Sequence, residues 1–323
     1  ASYLFNLSEI EQNHPANQPL VSWGFHHYFH GKLTKNDLDE ISSIRPIIII
    51  HRSFHEFILN TPAMELLGIN KEAFNEIPEL NHLANFDDGH FSERGAIIVL
   101  PKLMQVLASP MALIQGLQKT RDYLHSNGIT LIGNPGSMYN KDLQTAKNLI
   151  FGNEDSPFES YFFPSALNLS EQFKLDEVLD AAKDQTSWGE GKLNYLSKHI
   201  KLFADGAMYS QNMVMRDGYL DNHEGSWLMS LGTFENLFKV FWDDGFQIHI
   251  HQNGDAGLDR LLKTLKKNLD RNPRMDHRTT VVHFGYSAKD QLKQMKELGV
   301  VVSANPYYVT ALSDLYSRKG VGY

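Results

Sequence analysis

Cysteine is absent from the 323 residues. That excludes disulfides, a thiolate nucleophile and Cys-ligated zinc, so any transition metal must be held by imidazole and carboxylate. No apolar run approaches the roughly 18 residues a membrane helix needs, which argues against a membrane partner; the longest obvious run is Ile47 to Ile50. Positive charge is in deficit, with 30 Lys+Arg against 38 Asp+Glu and a formal net charge of −8. Such a surface repels phosphate backbones and argues against nucleic acid. No G-x-G-x-x-G follows the early strands, which weakens a dinucleotide-binding reading. Ala1-Ser2-Tyr3 opens no signal-peptide pattern, so a cytoplasmic location is the expectation. Both ends read as clipped, with no initiator methionine and a stop in mid-loop at Gly320-Val321-Gly322-Tyr323. What the chain does have is histidine, 15 in all.

Short β-rich runs recur along the chain: Arg45 to Ile50, Gly128 to Gly133, Tyr161 to Leu167, His199 to Phe203, Phe246 to His251, Thr279 to His283 and Gly299 to Ser303. Helical patterns lie between them. Pro110 to Asn127 stops at an Asn-Gly pair, Gly257 to Leu269 repeats leucine, and Ser287 to Leu298 opens on a serine cap and ends at Gly299. The last strands are nearly all apolar, which predicts burial on both faces. Alternating strands and helices imply parallel βαβ units. Six or seven of them suggest a (β/α)8 TIM barrel rather than an open Rossmann sheet. The whole of 1–323 is expected to be one such barrel. The less regular stretch from about 10 to 110, rich in histidine and aromatics, reads as partly barrel and partly an insertion over the active-site mouth.

Three positions carry chemistry. In Phe246 to Asp255 side chains alternate, so His249 and His251 share a face and His251 stands at the carboxyl end of its strand. His283 ends the next strand one βα unit later. Adjacent parallel strands lie about 5 Å apart, so two imidazoles at the same end can share a metal. Taken singly, each is as readily a hydrogen-bonded core histidine. Lys201 sits inside the apolar strand His199-Ile200-Lys201-Leu202-Phe203. Burial disfavours its charged form and makes the amine nucleophilic, open to reaction with carbon dioxide to give a carbamate that can bridge metals. Pairing with Asp205 or reaching for the barrel mouth is the plainer alternative. The aromatics Tyr307, Tyr308, Trp227 and Trp242 could shape an apolar substrate pocket or simply pack in the core, and the core is the expectation for most of them.

The runs Lys201 to Gly206, His251 to Asp255 and Val282 to Gly285 resemble the strand-end motifs of the amidohydrolase superfamily. More narrowly they are similar to the YtcJ-like branch, amidohydrolase family 3, which includes N-substituted formamide deformylase. Trp23-Gly24, Leu33 to Asp39, Phe54-His55, Asn60 to Met64 and Gly89 to Glu93 fit that branch in order. The resemblance implies a metal-dependent hydrolase of a non-peptide C–N bond (amide, formamide, imide or cyclic amide) acting through metal-activated hydroxide. It implies one or two divalent ions, zinc first, held by Lys201, His251 and His283, with His55 and Asp205 lining the substrate pocket. Asn60 and Glu93 read as structural anchors. A small-molecule substrate is the expected partner, and a homodimer is the default for a soluble enzyme.

The departures are specific. The family's early metal-binding His-x-His has no counterpart before Lys201, since the adjacent pair His26-His27 lacks the spacing. The strand-8 aspartate, the usual general base, falls beyond Tyr323, so the catalytic carboxylate is unassigned and the chain alone is expected to be inactive. The first and last barrel strands and the flanking β-sandwich are missing as well. The alternative reading is a degenerate, non-catalytic barrel that binds a small ligand without metal. A phosphoesterase ranks last, because few arginines fall at strand ends.

Overall fold

The computed structural model describes residues 2–72, 83–107 and 109–319. The chain divides into two units, residues 1–108 with 207–212, and residues 109–206 with 213–323. Among the described residues no single helix is long and apolar enough to cross a membrane.

The first unit is built on one mixed sheet. Its strands are β1 (Leu20–Phe25), β2 (Ile47–His51), β3 (Glu56–Leu59), β4 (Ala84–Asn85) and β5 (His90–Ser92), in the order β1-β2-β3-β5-β4. β1 and β2 are parallel, while β3 runs antiparallel to both β2 and β5. The expectation of uniformly parallel βαβ units therefore fails here, because only four residues separate β2 from β3 and a parallel return needs a dozen or more. The isoleucine run is explained by its two faces. Ile48 packs with Phe57, Leu59 and Phe91, whereas Ile47 and Ile49 pack with Leu20, Phe25 and Leu38. Helix Lys35–Ile41 opens on a capping box, Thr34 accepting from the Asp37 N–H and Asp37 accepting from the Thr34 N–H at 2.7 Å. Asn60 caps Thr61–Leu66 and uses all its capacity: its Oδ1 accepts from the N–H of Ile47 and Ala63, and its Nδ2 donates to the carbonyls of Ser42 and Arg45.

The named strands of the second unit pair in parallel. β6 (Leu131–Ser137), β7 (Glu159–Pro164) and β8 (Leu193–Tyr195) form one sheet. β9 (His199–Phe203), β10 (Gln247–Gln252), β11 (Thr280–His283) and β12 (Val301–Ala304) form another, in the order β12-β11-β10-β9. An isolated bridge from Ser165 to Lys201 ties the end of β7 to β9. Helices Leu231–Asp243, Asp255–Arg271 and Lys289–Glu297 follow β9, β10 and β11 in turn. Phe234, Phe238, Phe241 and Trp242 of the first helix and Leu258, Leu261, Leu262 and Leu265 of the second cover Ile200, Leu202, Ile248, Ile250 and Val281. Each such side chain contributes roughly 1.5–3 kcal/mol on burial, so this layer fixes which face of β9 and β10 looks away from the helices.

Two expectations need correction. β12 is exposed along its whole length, Val301 and Val302 included, because it is the outer strand of its sheet. The helix after β11 is capped at Ala288, whose N–H donates to the Gln291 side chain, and not by Ser287. The fold is α/β, and the strands among the described residues form three sheets.

Candidate functional site

The alternation along β10 follows from the core. Ile248 and Ile250 enter the helix layer, so His249 and His251 take the other face. In the register His249 lies beside Lys201 and His251 beside Phe203. Lys201 is therefore on the same face as His251 but two residues deeper, about 6.6 Å along the strand.

His283 pairs in register with Gln252, so a regular strand would aim it opposite to His251. It does not stay regular. His283 and Phe284 have φ of 75° and 49°, in the left-handed region, which costs a residue with a Cβ roughly 1–2 kcal/mol. The break in alternation leaves the His283 ring 4.5 Å from that of His251, edge to face. Asn253 holds the other side of His251, its Nδ2 donating to Nε2 at 2.9 Å and to the Gly206 carbonyl at 3.0 Å. Asn253 Oδ1 is buried and has no hydrogen-bond partner among the described residues.

Lys201 is 2% exposed and pairs with no carboxylate among the described residues. Burial pushes its ammonium down to about 7, so much of it is the neutral amine near neutral pH. Its stem passes close to Gly136, where φ is +101° and a Cβ would come within 3.4 Å of Lys201 Cγ. The pairing with Asp205, one of the plainer alternatives, is not formed.

Asp205 is fully buried. Its Oδ1 accepts from the Asn253 N–H at 3.0 Å, and its Oδ2 accepts from Gly254 at 2.7 Å and Val214 at 2.9 Å. The carboxylate thus ties two loops together through three backbone N–H groups at the start of Asp255–Arg271, where negative charge also complements the helix dipole. The structure gives it this organising task.

His55 lies in the first unit. Its Nδ1 is 2.7 Å from Glu93 Oε2, and Glu93 Oε1 accepts from the Ala207 N–H at 2.9 Å. Burial pulls the His55 pKa down, but the Glu93 charge and hydrogen bond outweigh it and the net shift is upward. Glu93, fully buried, is an anchor as its sequence position suggested.

The first unit also assembles a group that the spacing argument passed over. His26, His27 and His51 each offer a ring nitrogen, and these lie within 4.8 Å of one another. Burial lowers all three pKa values, His26 to about 3 and His51 to about 4, so the imidazoles are neutral. Glu56 stands behind them with its pKa held at about 2: burial raises it, but the His90 hydrogen bond and the His51 charge prevail.

Comparison with known proteins bears on these sites. A model of the amidohydrolase family matches residues 8–320. The chain belongs to the amidohydrolase family. It is 19% identical to the putative amidohydrolase YtcJ of Bacillus subtilis (strain 168), over 96% of this chain and 57% of that protein. It is 22% identical to the exoenzymes regulatory protein AepA of Pectobacterium carotovorum subsp. carotovorum, over 75% of this chain and 51% of that protein. An uncharacterized metal-dependent hydrolase from Pyrococcus horikoshii OT3 superposes with a TM-score of 0.67 at 17% identity, over 100% of this chain and 60% of its own. The chain thus spans little more than half the length of the relatives it matches. Within this amidohydrolase-family chain, sequence reading located the strand-end histidines of the second unit but missed His26, His27 and His51. The signal was available, since His26 and His27 directly follow β1 and His51 ends β2, the next strand.

Proposed function

We propose that the protein is a metal-dependent hydrolase of a non-peptide C–N bond in a small molecule (an amide, formamide, imide or cyclic amide), built on a (β/α)8 barrel. The observation that carries this reading is the approach of His251 and His283, at the ends of two adjacent parallel strands, to 4.5 Å between ring centroids. Family membership supports it. The donors fit a borderline cation such as zinc: two imidazoles, with a buried lysine that as a carbamate would add anionic oxygens. A divalent ion supplies Lewis acidity, polarising a carbonyl and bringing water into the range where it attacks near neutral pH.

The chain's own residues do the positioning. Asn253 donates to His251 Nε2, so a metal on this ring would either take Nε2 in place of that hydrogen bond or bind Nδ1 with the Asn253 amide turned to accept from Nε2–H. Asp205 fixes the backbone of Asn253 and Gly254, and so the loop that carries Asn253. The near-complete burial of Lys201 and His251 keeps bulk water from screening charge at this face. His55 is held by Glu93 within the first unit. No carboxylate here is assigned to proton transfer.

The test is hydrolysis of a panel of amides, formamides, imides and cyclic ureas by the full-length gene product purified with zinc. His251→Ala should remove turnover and the metal bound at this site. Protein that keeps its metal yet cleaves nothing in the panel would overturn the reading.

A further inference from the structure

Parallel pairing of β1 with β2 sets Phe25 beside His51, the last residue of β2. The register shifts between Trp23 and Phe25, at Gly24 with φ +100°, a conformation a side chain would resist. His26 then follows the strand and His27 begins the short helix His27–His30. Turning from strand to helix places two successive residues beside the same neighbour, which neither a continuous strand nor a continuous helix would do. The outcome is a nearly equilateral triangle of rings, with centroids 5.2 Å apart for His26 and His27, 4.9 Å for His26 and His51, and 5.3 Å for His27 and His51.

Two of the three are dry: His26 is 0% exposed and His51 1%. His51 Nδ1 lies 2.8 Å from Ser53 Oγ and 3.2 Å from the Ser53 N–H. Its Nε2 is buried and has no hydrogen-bond partner among the described residues. Because Nδ1 accepts from the Ser53 N–H, Nε2 carries the ring proton and is left as an unanswered N–H; a metal on Nε2 would shift that proton to Nδ1, where Ser53 Oγ can accept it. Behind the ring stands Glu56 of β3, buried, with Oε1 3.5 Å from His51 Nδ1 and Oε2 2.6 Å from His90 Nε2. A carboxylate behind a ligating imidazole is how proteins orient such rings.

We propose that His26, His27 and His51 form a three-histidine site for a divalent cation of zinc or cobalt type, with Glu56 as the positioning carboxylate behind His51. The cation would take up the unanswered nitrogen of His51. Nitrogens on a tetrahedral zinc stand about 3.3–3.4 Å apart, so the ligand set, already within 4.8 Å, closes through side-chain adjustment. Three protein ligands leave one coordination position for water or a small anion. The site lies wholly within the first unit and does not depend on the function proposed above.

Cobalt(II) titrated into metal-free, full-length protein tests this, read by visible absorption and by bound equivalents. His51→Gln and His27→Gln should each lose one equivalent that His251→Gln retains. Glu56→Gln should keep the site but weaken cobalt binding about 10–100-fold. If His51→Gln fails to fold, His27→Gln decides, since its side chain is only half-buried. Unchanged stoichiometry and affinity in a folded His27→Gln protein would overturn the proposal. Loss of all cobalt in His251→Gln would overturn it too, while leaving the hydrolase reading intact. Loss in the His27 and His51 variants alone would uphold it and count against a metal at His251.

Discussion

His283 reaches His251 by leaving the strand that carries it. The register would set its side chain beside Gln252, on the helix-facing side, and the left-handed backbone at His283 brings the ring back to 4.5 Å from His251. Strain held at one residue for the sake of one contact is a signature of function.

That strain makes a prediction with opposed signs. His283→Gly relieves a left-handed residue and should leave stability unchanged or raise it by up to about 1 kcal/mol. Metal bound at His251 should fall in the same variant. Thermal unfolding beside metal analysis checks both; a destabilised variant that keeps its metal contradicts the prediction.

Asp205 should prove structural at high cost. Asp205→Ala strands three backbone N–H groups, two of them fully buried, and a buried one costs about 1–3 kcal/mol when unmet. A loss of at least about 3 kcal/mol is expected in denaturant unfolding. A loss below about 1 kcal/mol would mean the loop backbones find other partners.

Gly257→Ala sets helix propensity against sterics. Alanine gains about 1 kcal/mol over glycine inside a helix, but its Cβ would meet Asp205 Oδ1 at 2.6 Å. Overpacking costs about 1–3 kcal/mol, and here it also presses on the carboxylate that gathers the loop. Net destabilisation is expected from the unfolding midpoint; a stabilised variant would show that Asp205 moves freely.

The His55–Glu93 pair gives a pH dependence with a definite sign. His55 has its pKa raised on folding, so the pair stabilises fully below the unfolded value of about 6.5 and loses that contribution as pH rises through the higher folded value. Glu93→Gln retains a carbonyl oxygen for the Ala207 N–H but removes the charge. The stability difference between the two proteins should be largest below pH 6.5 and shrink above it. A difference that is flat with pH would remove the ion pair from the account.

Much of the second unit was legible because its elements are long and punctuated. Helix Pro110–Ser126 ends at Asn127 and Gly128, with φ +73° at the glycine, as the Asn-Gly pair foretold. Between β9 and β10 lies helix Leu231–Asp243, whose Phe234, Leu237, Phe238, Phe241 and Trp242 keep helical spacing. The first unit was less legible. β3 and β5 are three or four residues long, and which way they run is settled by pairing partners rather than by their own composition.

Local pattern determined that Ile248 and Ile250 oppose His249 and His251, because strand alternation has a period of two wherever one face is covered by helices. It also determined that metal chemistry here must use nitrogen and oxygen, since sulfur ligands are absent apart from methionine. Only the tertiary structure decided that His283 turns out of register to meet His251, that Asp205 serves backbone N–H groups, and that adjacent histidines at 26 and 27 converge on His51. Those outcomes depend on strand pairing, on left-handed turns and on which neighbours are left to satisfy a buried polar atom, none of which is a property of a residue and its near neighbours in the chain.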